Sequence, residues 1–80
     1  MKLKTLRRNT TRSDELLCAQ VESYVTWRAH SRLVAESYRA WRRAGAKERR
    51  VAFARYVAAL DREELAAGDY RRALELVHQA

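Results

Sequence analysis

Few residues in this chain combine the type and spacing that chemistry demands. Two histidines, His30 and His78, stand far apart, and neither has a second good ligand at metal-binding spacing. Cys18 and Glu22 lie one helical turn apart, but two donors without a third do not make a zinc site. Asp61, Glu63 and Glu64 form an acidic patch. Neighbouring carboxylates on a helix point in different directions, so they are poor acid and base partners and can simply pair with basic side chains. Gly45 and Gly68 are isolated, which leaves no glycine-rich loop to cradle a phosphate. These spacings predict a protein that is not an enzyme and takes no metal or cofactor. Cys18, the sole cysteine, is expected to be a small buried hydrophobe beside the apolar stripe.

The remaining distinctive side chains suit contact rather than reaction. Glu22–Arg28 reads ESYVTWR, and fourteen residues later Glu36–Arg42 reads ESYRAWR, with five of seven positions identical. Tyr24 and Trp27 are thus repeated as Tyr38 and Trp41, either as a duplicated binding site or as a duplicated packing unit. Fourteen residues make four turns of a 3.5-residue coiled coil, and in a straight helix they return to within about 40° of the same direction. Both copies therefore share one face. Alternating steps of three and four trace a seam through Leu17, Gln20, Tyr24, Trp27, Ser31, Val34, Tyr38, Trp41 and Gly45. Ser31 and Val34 between the aromatics leave gaps into which a partner helix can lay large side chains.

The net charge of +7 is unevenly placed. Met1–Arg12 carries Lys2, Lys4, Arg7, Arg8 and Arg12 with no acid, and a second cluster sets Arg42, Arg43, Lys47, Arg49 and Arg50 against Glu48 alone. Such clusters are the footprint of a partner rich in phosphate or carboxylate, or a solvated surface that keeps a small protein dissolved. Arg7, Arg8 and Arg12 on the arm and Arg42, Arg43, Lys47, Arg49 and Arg50 at the turn are the candidate anion or nucleic-acid contacts. No zinc-finger spacing or short helix-turn-helix pattern accompanies them.

Three helices are expected to position these groups. With no proline and two glycines, the chain has helix-forming composition and two break points. Ser13 can cap a helix in which Asp14 and Glu15 oppose the positive end of the dipole. That helix should run from about 14 to 44 and stop at Gly45 in the left-handed conformation, unless it continues through Gly45. A second, at about 47–67, has one apolar face of Phe53, Tyr56, Val57 and Leu60 and another of Val51, Ala54, Ala58 and Leu65, the pattern of a helix between two neighbours. Gly68 closes it, and Asp69 begins a short third helix at 69–80 with Tyr70, Ala73, Leu74 and Val77 on one side. The expected fold is all-α: a small three-helix bundle with a long first helix, residues 13–80, preceded by a basic N-terminal arm, residues 1–12.

GDYRRALELVHQA, Gly68–Ala80, resembles the second half of a tetratricopeptide unit, with Gly68, Tyr70, Ala73 and Ala80 on its small and aromatic positions. The resemblance covers thirteen residues of one repeat, without the preceding Trp and Gly positions or a second copy, and implies no more than a small-residue helical hairpin. An eighty-residue chain supplies a core worth rarely more than about 3 to 5 kcal/mol, so association is an expected aid to stability. The aromatic stripe is longer than two shorter helices can cover, and Leu17, Val25 and Leu33 have no obvious partner. Protein–protein interaction through Tyr24, Trp27, Tyr38 and Trp41, with self-association, is therefore the expected function, and nucleic-acid binding through the basic clusters is the alternative. One cysteine, no apolar run long enough for a membrane span and no apolar secretory segment point to the cytoplasm and against stable membrane insertion.

Overall fold

The computed structural model describes residues 2–79, with side chains from Arg12 to Gln79. It contains two helices, α1 (Lys2–Arg43) and α2 (Arg49–Gln79), joined by a turn at residues 44–48. At 1.5 Å per residue the 42 residues of α1 span about 63 Å, close to the 68 Å long dimension of a rod only 17 × 13 Å in section. The 31 residues of α2 reach about 46 Å back, so the N-terminal end of α1 runs beyond it.

The half-buried positions of each helix recur in steps of four and three. On α1 one row is Gln20, Trp27, Val34 and Trp41, and the next is Ser23, His30, Ser37 and Ala44. On α2 the rows are Tyr56, Glu63, Tyr70 and Val77, and Ala52, Ala59, Ala66 and Ala73. Trp27 meets Tyr70, and Trp41 meets Tyr56. A gain of fourteen residues along α1 thus matches a loss of fourteen along α2, the register of an antiparallel two-stranded coiled coil. The alanine row lets the backbones approach closely. Ala59, Ala66 and Ala73 are the buried hydrophobic residues of the described chain, and none of its large side chains is fully enclosed. The seam's polar groups are satisfied locally where they can be: the Ser23 hydroxyl donates to the Gln20 carbonyl at 2.9 Å.

The expected third helix is the end of α2, because Gly68 does not break it. Ala66, Tyr70 and Ala73 carry the inward face across Gly68, and that contact outweighs the roughly 1 kcal/mol a mid-helix glycine costs relative to alanine. The basic segment expected as a separate arm is continuous with α1, which starts at Lys2. Gly45 also acts differently from expectation: no glycine among the described residues has positive φ. α1 ends instead on a tightened turn, with the Ala44 N–H donating to the Trp41 carbonyl at 3.2 Å. The Gly45 carbonyl accepts from the Glu48 N–H at 3.1 Å, and Ala52 then donates to Glu48 at 2.9 Å. Gly45 belongs to the turn that leads into α2 rather than to a left-handed stop of α1, and Glu48, whose carbonyl accepts the first bond of α2, holds the cap position.

Both glycines are therefore replaceable. A Cβ on Gly45 meets nothing within 4 Å, and one on Gly68 meets only the end of the Arg72 side chain at 3.7 Å, an ordinary van der Waals contact. Gly68→Ala is expected to raise the unfolding free energy by about 0.5 to 1 kcal/mol, and Gly45→Ala to change it by less than about 0.5 kcal/mol. Urea titration of both variants checks this. A destabilised Gly68→Ala would show that α2 bends there, and a large loss at Gly45→Ala would restore the left-handed stop.

Candidate interaction face

Each half of the sequence repeat builds the same aromatic cluster. Trp27 stacks on Tyr70 with ring centroids 5.5 Å apart and planes at 15°, while Tyr24 meets Trp27 edge-on at 6.0 Å and Tyr70 at 5.4 Å. Trp41 stacks on Tyr56 at 5.6 Å and 13°, while Tyr38 meets Trp41 edge-on at 6.0 Å and Tyr56 at 5.5 Å. The clusters superpose by a shift of fourteen residues, about 21 Å along the rod. Such pairs add about 0.5 to 1.5 kcal/mol each beyond their buried area. Phe53 joins the second cluster 5.1 Å from Trp41, whereas Ala67 occupies its place in the first.

The second repeat, on α2, escaped sequence reasoning although its signal was present. Ala52, Tyr56, Ala59 and Leu60 recur fourteen residues later as Ala66, Tyr70, Ala73 and Leu74. The seam traced along α1 was correct in one row and rotated in the other. Gln20, Trp27, Val34 and Trp41 face α2, but Ser23, His30, Ser37 and Ala44 complete the seam in place of the exposed Leu17, Tyr24, Tyr38 and Gly45, while Ser31 is half-buried as expected. On α2, only Tyr56 of the expected face Phe53, Tyr56, Val57 and Leu60 is half-buried, and Val51, Ala54, Ala58 and Leu65 are all exposed.

The consequence is an uncovered apolar row on each helix, immediately beside the seam. From α1 come the exposed Leu17, Tyr24 and Tyr38, with the half-buried Ser31 between the tyrosines; Tyr24 is 45% and Tyr38 41% exposed. From α2 come Phe53, Leu60, Ala67 and Leu74, of which Phe53 and Leu60 are exposed. In an antiparallel pair these rows flank the same side of the seam, as the contacts of Tyr24 with Tyr70 and of Phe53 with Trp41 require. Val21 and Val57 widen the face. The four aromatics of the repeat divide accordingly: Trp27 and Trp41 are half-buried in the seam, and Tyr24 and Tyr38 border the open face. The opposite side of the rod interrupts its apolar residues with Arg55, Arg62 and Asp69. Cys18, expected inside, is exposed.

The basic cluster at the turn is split between the two sides. Arg42 belongs to the apolar face and lies over Tyr38, its guanidinium carbon 6.0 Å from the ring centre; Arg28 stands in the same relation to Trp27 at 6.0 Å. Arg43 and Lys47 instead join Arg55, Glu48 and Val51 around an open groove of about 510 Å³. Arg49 and Arg50 are exposed at the start of α2. Arg12 is exposed, and the side chains of Arg7 and Arg8 lie outside those described. Among the described residues the one ion pair joins Arg72 to Asp69, distant from this cluster in sequence. Among them no three His, Cys, Asp or Glu side chains converge as metal ligands, and no helix that the described residues form is long and apolar enough to cross a membrane.

Glu63 is the one charged residue among the inward rows. Its Oε1 accepts from the Trp27 indole N–H at 2.7 Å. The place fourteen residues earlier is Arg49, so this bond distinguishes two otherwise similar clusters. Comparison with family models, with curated proteins and with solved structures yields no match to this chain.

A double-mutant cycle measures the bond. Trp27→Phe and Glu63→Leu are expected to couple by about 1 kcal/mol in unfolding free energy, the usual net worth of one such hydrogen bond. The same cycle between Trp41→Phe and Glu63→Leu should give about zero. Equal coupling for both tryptophans would remove the bond's role in setting register.

Proposed function

We propose that this protein works by binding protein through the continuous apolar face of Tyr24, Tyr38, Phe53, Leu60 and Leu74, with the Trp27 and Trp41 stacks as its support. The observation that carries this reading is the uncovered row beside the seam on each helix. A hairpin whose buried residues are three alanines has left Tyr24, Tyr38, Phe53 and Leu60 exposed together on one side, whereas its other exposed large side chains, Leu33, Val51, Leu65 and Leu76, are scattered over the rest of the rod; a contiguous apolar patch is the arrangement of an interaction site. Tyrosine suits that position because it brings a large rigid area and a hydroxyl that tolerates water in the free state. Self-association belongs to the same proposal. The chemistry of the face is binding, with specificity from shape and from the Arg28 and Arg42 charges at its edge.

A second reading rests on a different observation. Arg43, Lys47 and Arg55 line one groove near the turn, with Arg49 and Arg50 close by in sequence, a concentration of positive charge suited to phosphate. Arg7, Arg8 and Arg12 add to that charge in the sequence, and nucleic acid is the partner this reading names.

One experiment separates them. The chain is isolated from its host under mild salt, alongside a Tyr38→Ser/Leu60→Ser variant and an Arg43→Ser/Lys47→Ser variant, and the intact complexes are weighed by native mass spectrometry. A stoichiometric protein complex or oligomer lost only in the first variant is the expected result. Nucleic acid lost only in the second favours the other reading, and a bare monomer in every sample sinks the first.

A further inference from the structure

We infer that the occupant of the apolar face is a second copy of this chain, laid antiparallel and shifted by half a repeat to form a four-helix bundle; this rests on the protein-binding reading above. Area, shape and charge support it together. Between the levels of Leu17 and Gly45 the side of the rod that carries the face is about 42 Å long and 17 Å wide, an outline of roughly 700 Å². A stable interface of standard size takes about 800 Å² from each partner. The second copy is also the partner whose surface is known to match in composition.

The shape argument follows from the repeat. Along α1 the face runs large, small, large as Tyr24, Ser31 and Tyr38, and along α2 as Leu60, Ala67 and Leu74. Copies placed level for level would set each large residue against another. Shifted by seven residues about a two-fold axis across the helices, Tyr24 of one copy meets Ser31 of the other, and Tyr38 meets Leu17. On α2 the same shift sets Leu74 between Leu60 and Ala67 of the second copy. Knobs then enter gaps on both helix pairs, as in the seam within each hairpin.

Charge agrees with this arrangement and selects it. The rim of the face carries Asp14, Arg28 and Arg42 on α1 and Arg50, Glu64, Arg71 and His78 on α2, with Arg50 beyond the end of the second copy's α2 in the shifted arrangement. In the shifted antiparallel dimer Asp14 approaches Arg42 of the second copy, and Glu64 falls between its Arg71 and His78. Arg28 alone meets its like, because it lies nearly on the two-fold axis. A parallel arrangement, with α1 over α2 of the other copy and both turns at one end, brings Arg28 against Arg71 twice over and places no acid opposite Arg42.

The position of Arg28 makes the test direct. In a Cys18→Ser background, Arg28→Cys is expected to form a covalent dimer on mild oxidation, while Thr26→Cys, on the opposite side of the rod, is not. Both substituted residues are exposed, so helicity by circular dichroism should be unchanged. Light scattering of the parent chain should give twice the monomer mass, and Leu60→Ser should raise the dissociation constant by about tenfold or more. A dimer that cross-links through Thr26→Cys, or only in a mixture of Arg28→Cys with Arg71→Cys, overturns the arrangement. A monomer at every concentration overturns the second copy as occupant. In that case, anilinonaphthalene sulfonate fluorescence that Leu60→Ser abolishes leaves the face open to a different protein, and no dye response at all fails the protein-binding reading too.

Discussion

Two stacked Trp–Tyr pairs beside a row of alanines govern the rest of this molecule. Alanine at every seventh position of α2 makes one row of the seam small, and the large side chains of the seam are gathered in the other row. The bulk of Trp27, Trp41, Tyr56 and Tyr70 is therefore accommodated as flat rings laid against one another. The next row outward, Tyr24, Tyr38, Phe53 and Leu60, is left at the side of the rod. A seam of leucines would hold the helices further apart and draw more of that row inward. The small seam and the exposed apolar face are thus one choice with two results.

Much of α1 was legible in the sequence because its strongest signal is tied to its strongest contacts. The fourteen-residue spacing of Trp27 and Trp41 placed both in the seam. The second row was missed because Ser23, His30 and Ser37 are not hydrophobic, and a search for apolar residues prefers Tyr24 and Tyr38 next to them. Their inward placement follows from their position beside the Trp27 and Trp41 row, and a sequence read one helix at a time does not show which of the two neighbouring rows faces the partner. The same blindness affected α2, where Phe53 and Leu60 outshone Ala52 and Ala59. Gly68 was read by local preference, a weak prior that a continuous tertiary face overrides. Gly45 marked the turn correctly, yet its role there depends on a backbone hydrogen bond that no residue type announces.

The charged residues illustrate how folding sorts a cluster that looks uniform in sequence. Arg42 and Arg43 are adjacent, yet successive helical residues are about 100° apart, so one cation joins the aromatic face and the other a polar groove. A local excess of positive charge is therefore divided between an edge that orients an apolar contact and a concavity open to anions. Glu63 shows the reverse: a single carboxylate, moved inside, becomes a label that identifies which Trp belongs with which level of α2.

That label matters because the repeats make the rod modular. Each fourteen-residue unit of α1 is matched by a fourteen-residue unit of α2, and their ring geometries agree to within 0.1 Å and 2°. Removing one unit from both helices would leave the turn, the register and the faces intact, with the rod shorter by about 21 Å. Length in this architecture is counted in steps, and the protein is in effect a ruler two divisions long.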